Sequence, residues 1–142
     1  MIYFDILFLI GRLLLGGYFI VSGINHFMKM GMLAGYSQSK GVPMPKIAVI
    51  VTGVLLLFGG LGILLGIFIE WAILALVVFL VPVNFIMHAF WKVEDANMKM
   101  MEMVHFMKNL ALLGALLMLL SIPMWTFPLW LNYFKYFTKM PV

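Results

Sequence analysis

The chain has 142 residues, of which 65% are hydrophobic and 10% are charged, and its formal net charge is +4. Soluble domains contain roughly 45–50% hydrophobic and about 25% charged residues, so this composition excludes a soluble enzyme and a nucleic-acid module and predicts an integral membrane protein. The chain has no cysteine. Thiolate catalysis and sulfur-ligated metal centres are therefore excluded for this chain on its own.

Four segments are apolar over about 20 residues, the length that a membrane-spanning helix needs. They run approximately from Phe4 to Phe27, from Ile47 to Ile69, from Trp71 to Trp91 and from Val104 to Ile122. Because almost nothing separates the second span from the third, we predict a tight turn at Ile69-Glu70-Trp71. The sequence thus predicts an all-α fold, a transmembrane four-helix bundle over residues 1–122.

The connections and the C-terminal tail have their own signatures. Glycines and prolines interrupt residues 28–46, so we expect only a short amphipathic turn there, at residues 32–39. Glu94-Asp95 suits a helix start, which predicts a short surface helix that runs into the fourth span. Residues 123–142 form a separate aromatic amphipathic tail. Its pattern predicts a helix from Pro128 to Lys139 that lies in the membrane interface or docks on a partner subunit.

Lysines indicate the orientation in the membrane. The two connections on one side carry Lys29, Lys40, Lys46, Lys92 and Lys99, whereas the other side has only Lys135 and Lys139, both in the tail. Cytoplasmic loops are enriched in Lys and Arg. We therefore expect a multi-pass protein of the cell membrane with both termini outside.

Small residues and one arginine stand out within the spans. Gly62 and Gly66 have a GxxxG spacing, and the fourth span contains Ala111, Gly114 and Ala115, which predicts close helix packing. Arg12 lies well inside the first span. An arginine in a span costs at least about 2.5–3 kcal/mol near the centre and somewhat less off-centre. Arg12 shares a stripe with Asp5, Gly16, Phe19, Gly23 and His26 that we expect to face the bundle. Arg12 either holds an anionic or carbonyl group of a ligand or extends to the outer interface and pairs with Asp5 or Glu70.

Polar side chains gather at the ends of the spans on the lysine-rich side, where we expect them to line a common pocket. Three interpretations remain: a quinone headgroup site in which His and Lys donate to the carbonyl oxygens, a metal or haem site, or ordinary interfacial polar residues. No motif supports haem or metal, so neither is expected. The candidate quinone- or ligand-binding residues are Arg12, His26, Asn84, His88, His105, Lys108 and Asn109; no catalytic residue is assigned.

Five short motifs follow one another along the chain. They are Arg12 to Phe27 with Gly16 and Gly23, then Gly41-Val42-Pro43, Gly59-Gly60 with Gly66, His88 to Trp91, and Lys108 to Gly114. Together they resemble the DoxX family of small four-span membrane proteins over nearly the whole chain up to the tail. The sequence departs from that family at Leu56, where many members have Glu, and at Asn84, where Thr is common.

The resemblance implies a small membrane subunit of a quinone-linked oxidoreductase, because family members are linked to terminal quinol oxidases and to thiosulfate:quinone oxidoreductases. It implies quinone as the cofactor and other membrane or peripheral oxidoreductase subunits as partners. The alternative is a non-catalytic scaffold or assembly subunit of a larger complex. A small transporter is less favoured, because four spans show no inverted repeat. Homo-oligomerisation, the electron donor and a catalytic role of this chain are left open by the sequence.

Overall fold

The computed structural model describes residues 2–122, and the predicted aromatic tail, residues 123–142, lies outside the described residues. The described chain contains helices and no strand: α1 (Ile2–Met28), α2 (Met30–Ser39), α3 (Pro45–Leu65), α4 (Ile69–Ile86) and α5 (Ala96–Leu120), with a short 3-10 segment at Phe90–Lys92. α1, α3, α5 and the stretch from α4 through the 3-10 segment are long and apolar enough to cross a membrane. The all-α four-helix transmembrane bundle is therefore confirmed.

The turn between α3 and α4 lies earlier than predicted. α3 ends at Leu65, and both Gly66 (φ 72°) and Phe68 (φ 47°) have left-handed backbone conformations that reverse the chain. Gly66 adopts this conformation without the penalty that a Cβ atom would add. The predicted turn at residues 69–71 is therefore wrong, and Glu70 instead lies in the first turn of α4, where the helix dipole favours a carboxylate.

The other boundaries differ where the helices continue across the predicted connections. α2 is a complete helix rather than a short turn. α4 ends at Ile86, so His88 lies in the connection after the helix and not in its last turn. Asp95 caps α5 by accepting a hydrogen bond from the backbone N–H of Met98 at 2.8 Å. The predicted surface helix thus runs into the fourth span as one continuous helix.

α1 and α3 pack against each other through glycines. A Cβ atom at Gly16 would lie 2.8 Å from the carbonyl oxygen of Gly60, and one at Gly60 would lie 2.9 Å from that of Gly16. Gly16 is buried together with Arg12, Phe19 and Gly23, so this part of the predicted stripe does face the bundle. The core between the spans is formed by Phe19, Leu56, Ile63, Ile73, Leu76, Leu80 and Leu116.

The residues through which α5 packs on the bundle differ from those predicted. Gly114 and Ala111 are exposed, and no described atom lies within 4 Å of a Cβ atom built at Gly114. Ala111 and Gly114 therefore do not face the other described helices as predicted, whereas Ala115 is half-buried. α5 packs on α4 and buries the larger Leu116 instead. Within residues 2–122, α1 and α5 make no close backbone contact, which leaves a seam between these two helices.

The two ends of the bundle have different compositions. One end, here called the loop end, carries α2 and the connection between α4 and α5. The opposite end, here called the hairpin end, carries the turn between α3 and α4. Because consecutive spans are antiparallel, the C-terminal part of α1 and the N-terminal part of α5 both lie at the loop end.

Candidate functional site

A cavity of about 350 Å³ lies at the loop end, with walls from all five helices. Most of its lining is apolar, and it includes the core side chains Phe19, Leu56 and Leu80. Its polar lining comprises Ser22, His26, Tyr36, Ser37, Thr52, His88, Lys108 and Asn109. The structure thus brings four of the predicted site residues to one cavity: His26, His88, Lys108 and Asn109.

Two further candidates lie beside this cavity. The ring of His105 stacks on that of His88, with centroids 5.2 Å apart and an interplanar angle of 25°. The Nζ atom of Lys108 lies 3.5 Å from Nδ1 of His105. Asn84 is buried in α4, and within residues 2–122 its Oδ1 atom has no hydrogen-bond partner. His105 is therefore linked to the cavity through His88 and Lys108. Asn84 is a buried polar residue that adjoins a cavity-lining residue of α4 in the sequence.

Arg12 lies at the hairpin end and does not join the histidines. Its Nε atom donates to the carbonyl oxygen of Ile63 at 3.0 Å, and its Nη2 atom donates to that of Leu64 at 2.8 Å. The last carbonyls of a helix have no partner within the helix, and the bilayer core offers no water to satisfy them. Arg12 therefore caps the C-terminus of α3, a role that was not among the interpretations of the sequence. It also lines a second cavity, of about 530 Å³.

Glu102 is central to the loop end and was missed by the sequence analysis. It is buried in α5, where its Oε1 atom accepts hydrogen bonds from the Tyr36 hydroxyl and, at 2.9 Å, from Lys40 Nζ. Its Oε2 atom lies 2.7 Å from His88 Nδ1. A signal was available in the sequence, because the polar residues Glu102 and Asn109 stand seven residues apart, a spacing that places them on one helix face. The structure buries both of them, together with Leu116.

The two donors to Glu102 that lie outside the spans keep their protons. Burial and the hydrogen bond to Glu102 both raise the pKa of Tyr36 above its usual value. Burial alone would lower the pKa of Lys40, but the hydrogen bond to Glu102 contributes to a net rise. Tyr36 therefore remains a phenol and Lys40 an ammonium group at neutral pH, and both donate to the carboxylate.

Within residues 2–122, no three His, Asp or Glu side chains are arranged to hold a metal ion. What the loop end does contain is a set of hydrogen-bonding groups around an apolar cavity. Lys108 and Asn109 can donate, and the rings of His26 and His88 can donate or accept according to their protonation. This arrangement is suited to binding a small, mostly apolar molecule that carries a few polar atoms.

The comparison with known protein families gives a match to DoxX over residues 7–89. The match covers more than half of the chain and includes every cavity residue from α1, α2, α3 and α4, but it ends before α5. No curated protein and no solved structure matches the chain. With a family match of this extent and four helices that can span a membrane, the chain is an integral membrane protein and belongs to the DoxX family.

Proposed function

We propose that the chain is the quinone-binding membrane subunit of an oxidoreductase, with the loop-end cavity as the site of the quinone headgroup. The observation that carries this proposal is the cavity itself, which combines apolar walls with a few converging polar groups. Its volume, about 350 Å³, is near the lower end of the range of about 300–1,000 Å³ for small-molecule sites. That size favours a single ring rather than a whole quinone with its tail.

The donors at the cavity fit the two carbonyl oxygens of a quinone. Lys108 provides an ammonium group, and the buried Asn109 provides an amide. Charge-assisted hydrogen bonds are stronger than neutral ones, so Lys108 is the residue that we expect to contribute most to headgroup binding.

The seam between α1 and α5 provides a route for an apolar tail. Tyr18 of α1 and Lys108 of α5 both line the cavity and are both exposed on the outside of the bundle. The Lys108 Nζ atom lies 5.8 Å from the centre of the Tyr18 ring. These two side chains contact each other across the seam, so they must separate for the tail of a bound headgroup to pass into lipid.

In this proposal a quinone supplies the two-electron redox chemistry when it is bound, and a partner subunit supplies the electrons. The residues of this chain bind and orient the headgroup, and the apolar walls exclude water. Lys108 Nζ holds protons next to the ring oxygens, and the neutral imidazole rings can accept protons there. The chain thus contributes the site and its protons.

The proposal includes an orientation: the loop end faces the cytoplasm, and the membrane is the cell membrane. Lys29, Lys40, Lys46, Lys92 and Lys99 all lie at or near the loop end, and positive residues are enriched on the cytoplasmic side. Quinone would then exchange protons with the cytoplasm.

Two alanine-to-phenylalanine substitutions test the proposal. Ala48 lines the loop-end cavity, whereas Ala115 lines the cavity at the hairpin end. The protein is purified from membranes in mild detergent, and its quinone is extracted and quantified by mass spectrometry. We expect Ala48→Phe to retain less than about a tenth of the wild-type quinone, and Ala115→Phe to retain all of it, with both variants showing wild-type helicity.

Two outcomes would count against the proposal. Equal quinone loss in both variants would mean that the loop-end cavity is not the site. A wild-type protein that carries no quinone but co-purifies with other proteins would favour the scaffold or assembly subunit.

A further inference from the structure

Both histidines that line the loop-end cavity have Nδ1 next to a group that only accepts hydrogen bonds. His26 Nδ1 lies 2.8 Å from the carbonyl oxygen of Ser22. His88 Nδ1 lies 2.7 Å from Oε2 of Glu102, whose other oxygen accepts from Tyr36 and Lys40. A carbonyl or carboxylate oxygen has no hydrogen to give, so each Nδ1 carries the hydrogen.

The second ring nitrogen of each histidine is left for a ligand. Within residues 2–122, Nε2 of His26 and Nε2 of His88 have no hydrogen-bond partner, although both rings line the cavity. In a neutral imidazole with the hydrogen on Nδ1, Nε2 has a lone pair and can only accept. The cavity therefore presents two acceptors beside the donors Lys108 and Asn109.

We propose that the cavity recognises an aromatic hydroxyl group through the Nε2 atoms of His26 and His88, so that it binds a quinol in preference to a quinone. Glu102 is the positioning residue that holds His88 in the required tautomer. A quinol hydroxyl donates to an imidazole lone pair, whereas a quinone carbonyl only accepts. The quinol as ligand rests on the function proposed above, whereas recognition of a hydroxyl group does not.

The charged groups around His88 set the condition under which this preference appears. Groups from three elements face the ring or its partner: Glu102, His105 and Lys108 from α5, Tyr36 from α2, and Lys40 from the connection after α2. A protonated His88 would carry hydrogen on both nitrogens and would donate to a carbonyl instead. The preference for a hydroxyl group therefore requires the neutral ring, and binding is measured at about pH 8.5, above the usual titration range of histidine.

The first test measures the tautomers directly by nitrogen-15 NMR of histidine-labelled protein in micelles. The chain has three histidines, so single His→Gln substitutions assign all the signals. We expect His26 and His88 to carry the hydrogen on Nδ1. In Glu102→Leu, His88 should change to the Nε2–H form while His26, held by Ser22, stays unchanged as an internal control.

Glu70→Leu serves as the matched control, because Glu70 is an exposed carboxylate at the hairpin end. It should leave all three histidines unchanged. A wild-type His88 with its hydrogen on Nε2 would overturn the inference, and this measurement stands even if Glu102→Leu does not fold.

The second test compares para-octylphenol with its methyl ether, which has the same ring and chain but no hydroxyl hydrogen. We expect the phenol to bind wild-type protein about tenfold more tightly, which is the net value of about one good hydrogen bond. In His88→Leu the ratio should fall several-fold, towards one. Equal affinities, or no binding of either compound, would overturn the inference.

The quinone-retention experiment decides the proposed function separately. Protein that prefers the phenol but retains no quinone or quinol would keep hydroxyl recognition and reject the quinone subunit. Protein that retains quinone but binds the phenol and its ether equally would support the quinone subunit and reject hydroxyl recognition.

Discussion

Gly66 is the residue whose substitution should reveal how Arg12 is held. Its φ of 72° is in the left-handed region, and a Cβ atom there would overlap the Arg12 guanidinium, with Cζ at 2.9 Å. Gly66→Ala therefore adds backbone strain and displaces Arg12 from its two carbonyl partners, Ile63 and Leu64.

The magnitude follows from these two effects. A non-glycine residue in the left-handed region costs about 1–2 kcal/mol. Loss of a hydrogen bond from a charged donor costs about 1.5–3 kcal/mol. We expect Gly66→Ala to lower the free energy of unfolding by about 3 kcal/mol, with roughly half of that from Arg12.

Gly41 is a matched control. It has a φ of 80°, and no described atom lies within 4 Å of a Cβ atom built there, so Gly41→Ala carries the strain without the overlap. Its expected cost is about 1–2 kcal/mol. In an Arg12→Met background, the cost of Gly66→Ala should fall to the same value.

The assay is reversible unfolding by SDS in mixed micelles, followed by circular dichroism of the helices. If Gly66→Ala and Gly41→Ala agree within about 0.5 kcal/mol, the usual limit of additivity, the Arg12 side chain moves aside without loss. The capping role would then contribute little to stability.

Two further predictions concern the orientation and the packing of the loop end. In a chain without native cysteine, a cysteine at Ser39 should react only with a cytoplasmic reagent and one at Phe68 only with an external reagent; the reverse pattern would refute the proposed orientation. Phe106 contacts the rings of Phe85, Phe90 and Trp91 at 5.5–5.7 Å, and aromatic pairs contribute about 0.5–1.5 kcal/mol each. Phe106→Ala should therefore lower the free energy of unfolding by about 2–3 kcal/mol in the same SDS assay. Phe58→Ala, on the exposed surface of α3, should lower it by less than about 1 kcal/mol. Equal losses in the two variants would contradict a role of the aromatic cluster in stability.

The spans could be predicted because hydropathy over about 20 residues is a strong signal in a membrane protein. The ends of the helices were harder to predict, because they depend on the backbone conformation and packing of a few residues. Gly31 and Gly35 disfavour a helix, yet α2 forms and buries Ala34 and Ser37. Packing on the bundle therefore overrides the local preference of that segment.

The candidate site could be predicted only in part. His26, His88, Lys108 and Asn109 share one cavity because residues at the same end of adjacent spans are brought to the same depth. Arg12 could not be matched to its partners, because backbone carbonyls exist at every position and leave no pattern in the sequence. Glu102 was missed because α5 was divided into two parts, which hid its seven-residue spacing to Asn109.

The cap on α3 has a consequence for the order in which the chain enters the membrane. The carbonyls that Arg12 contacts lie 51 and 52 residues further along the chain, so they leave the ribosome well after α1 does. Until then the guanidinium lacks these acceptors, and an arginine in a span carries a cost that reaches about 2.5–3.5 kcal/mol at the helix centre and is smaller towards the helix end. α1 therefore gains its final stability in the bilayer when α3 arrives beside it, and biogenesis couples the first span to the second rather than proceeding one helix at a time.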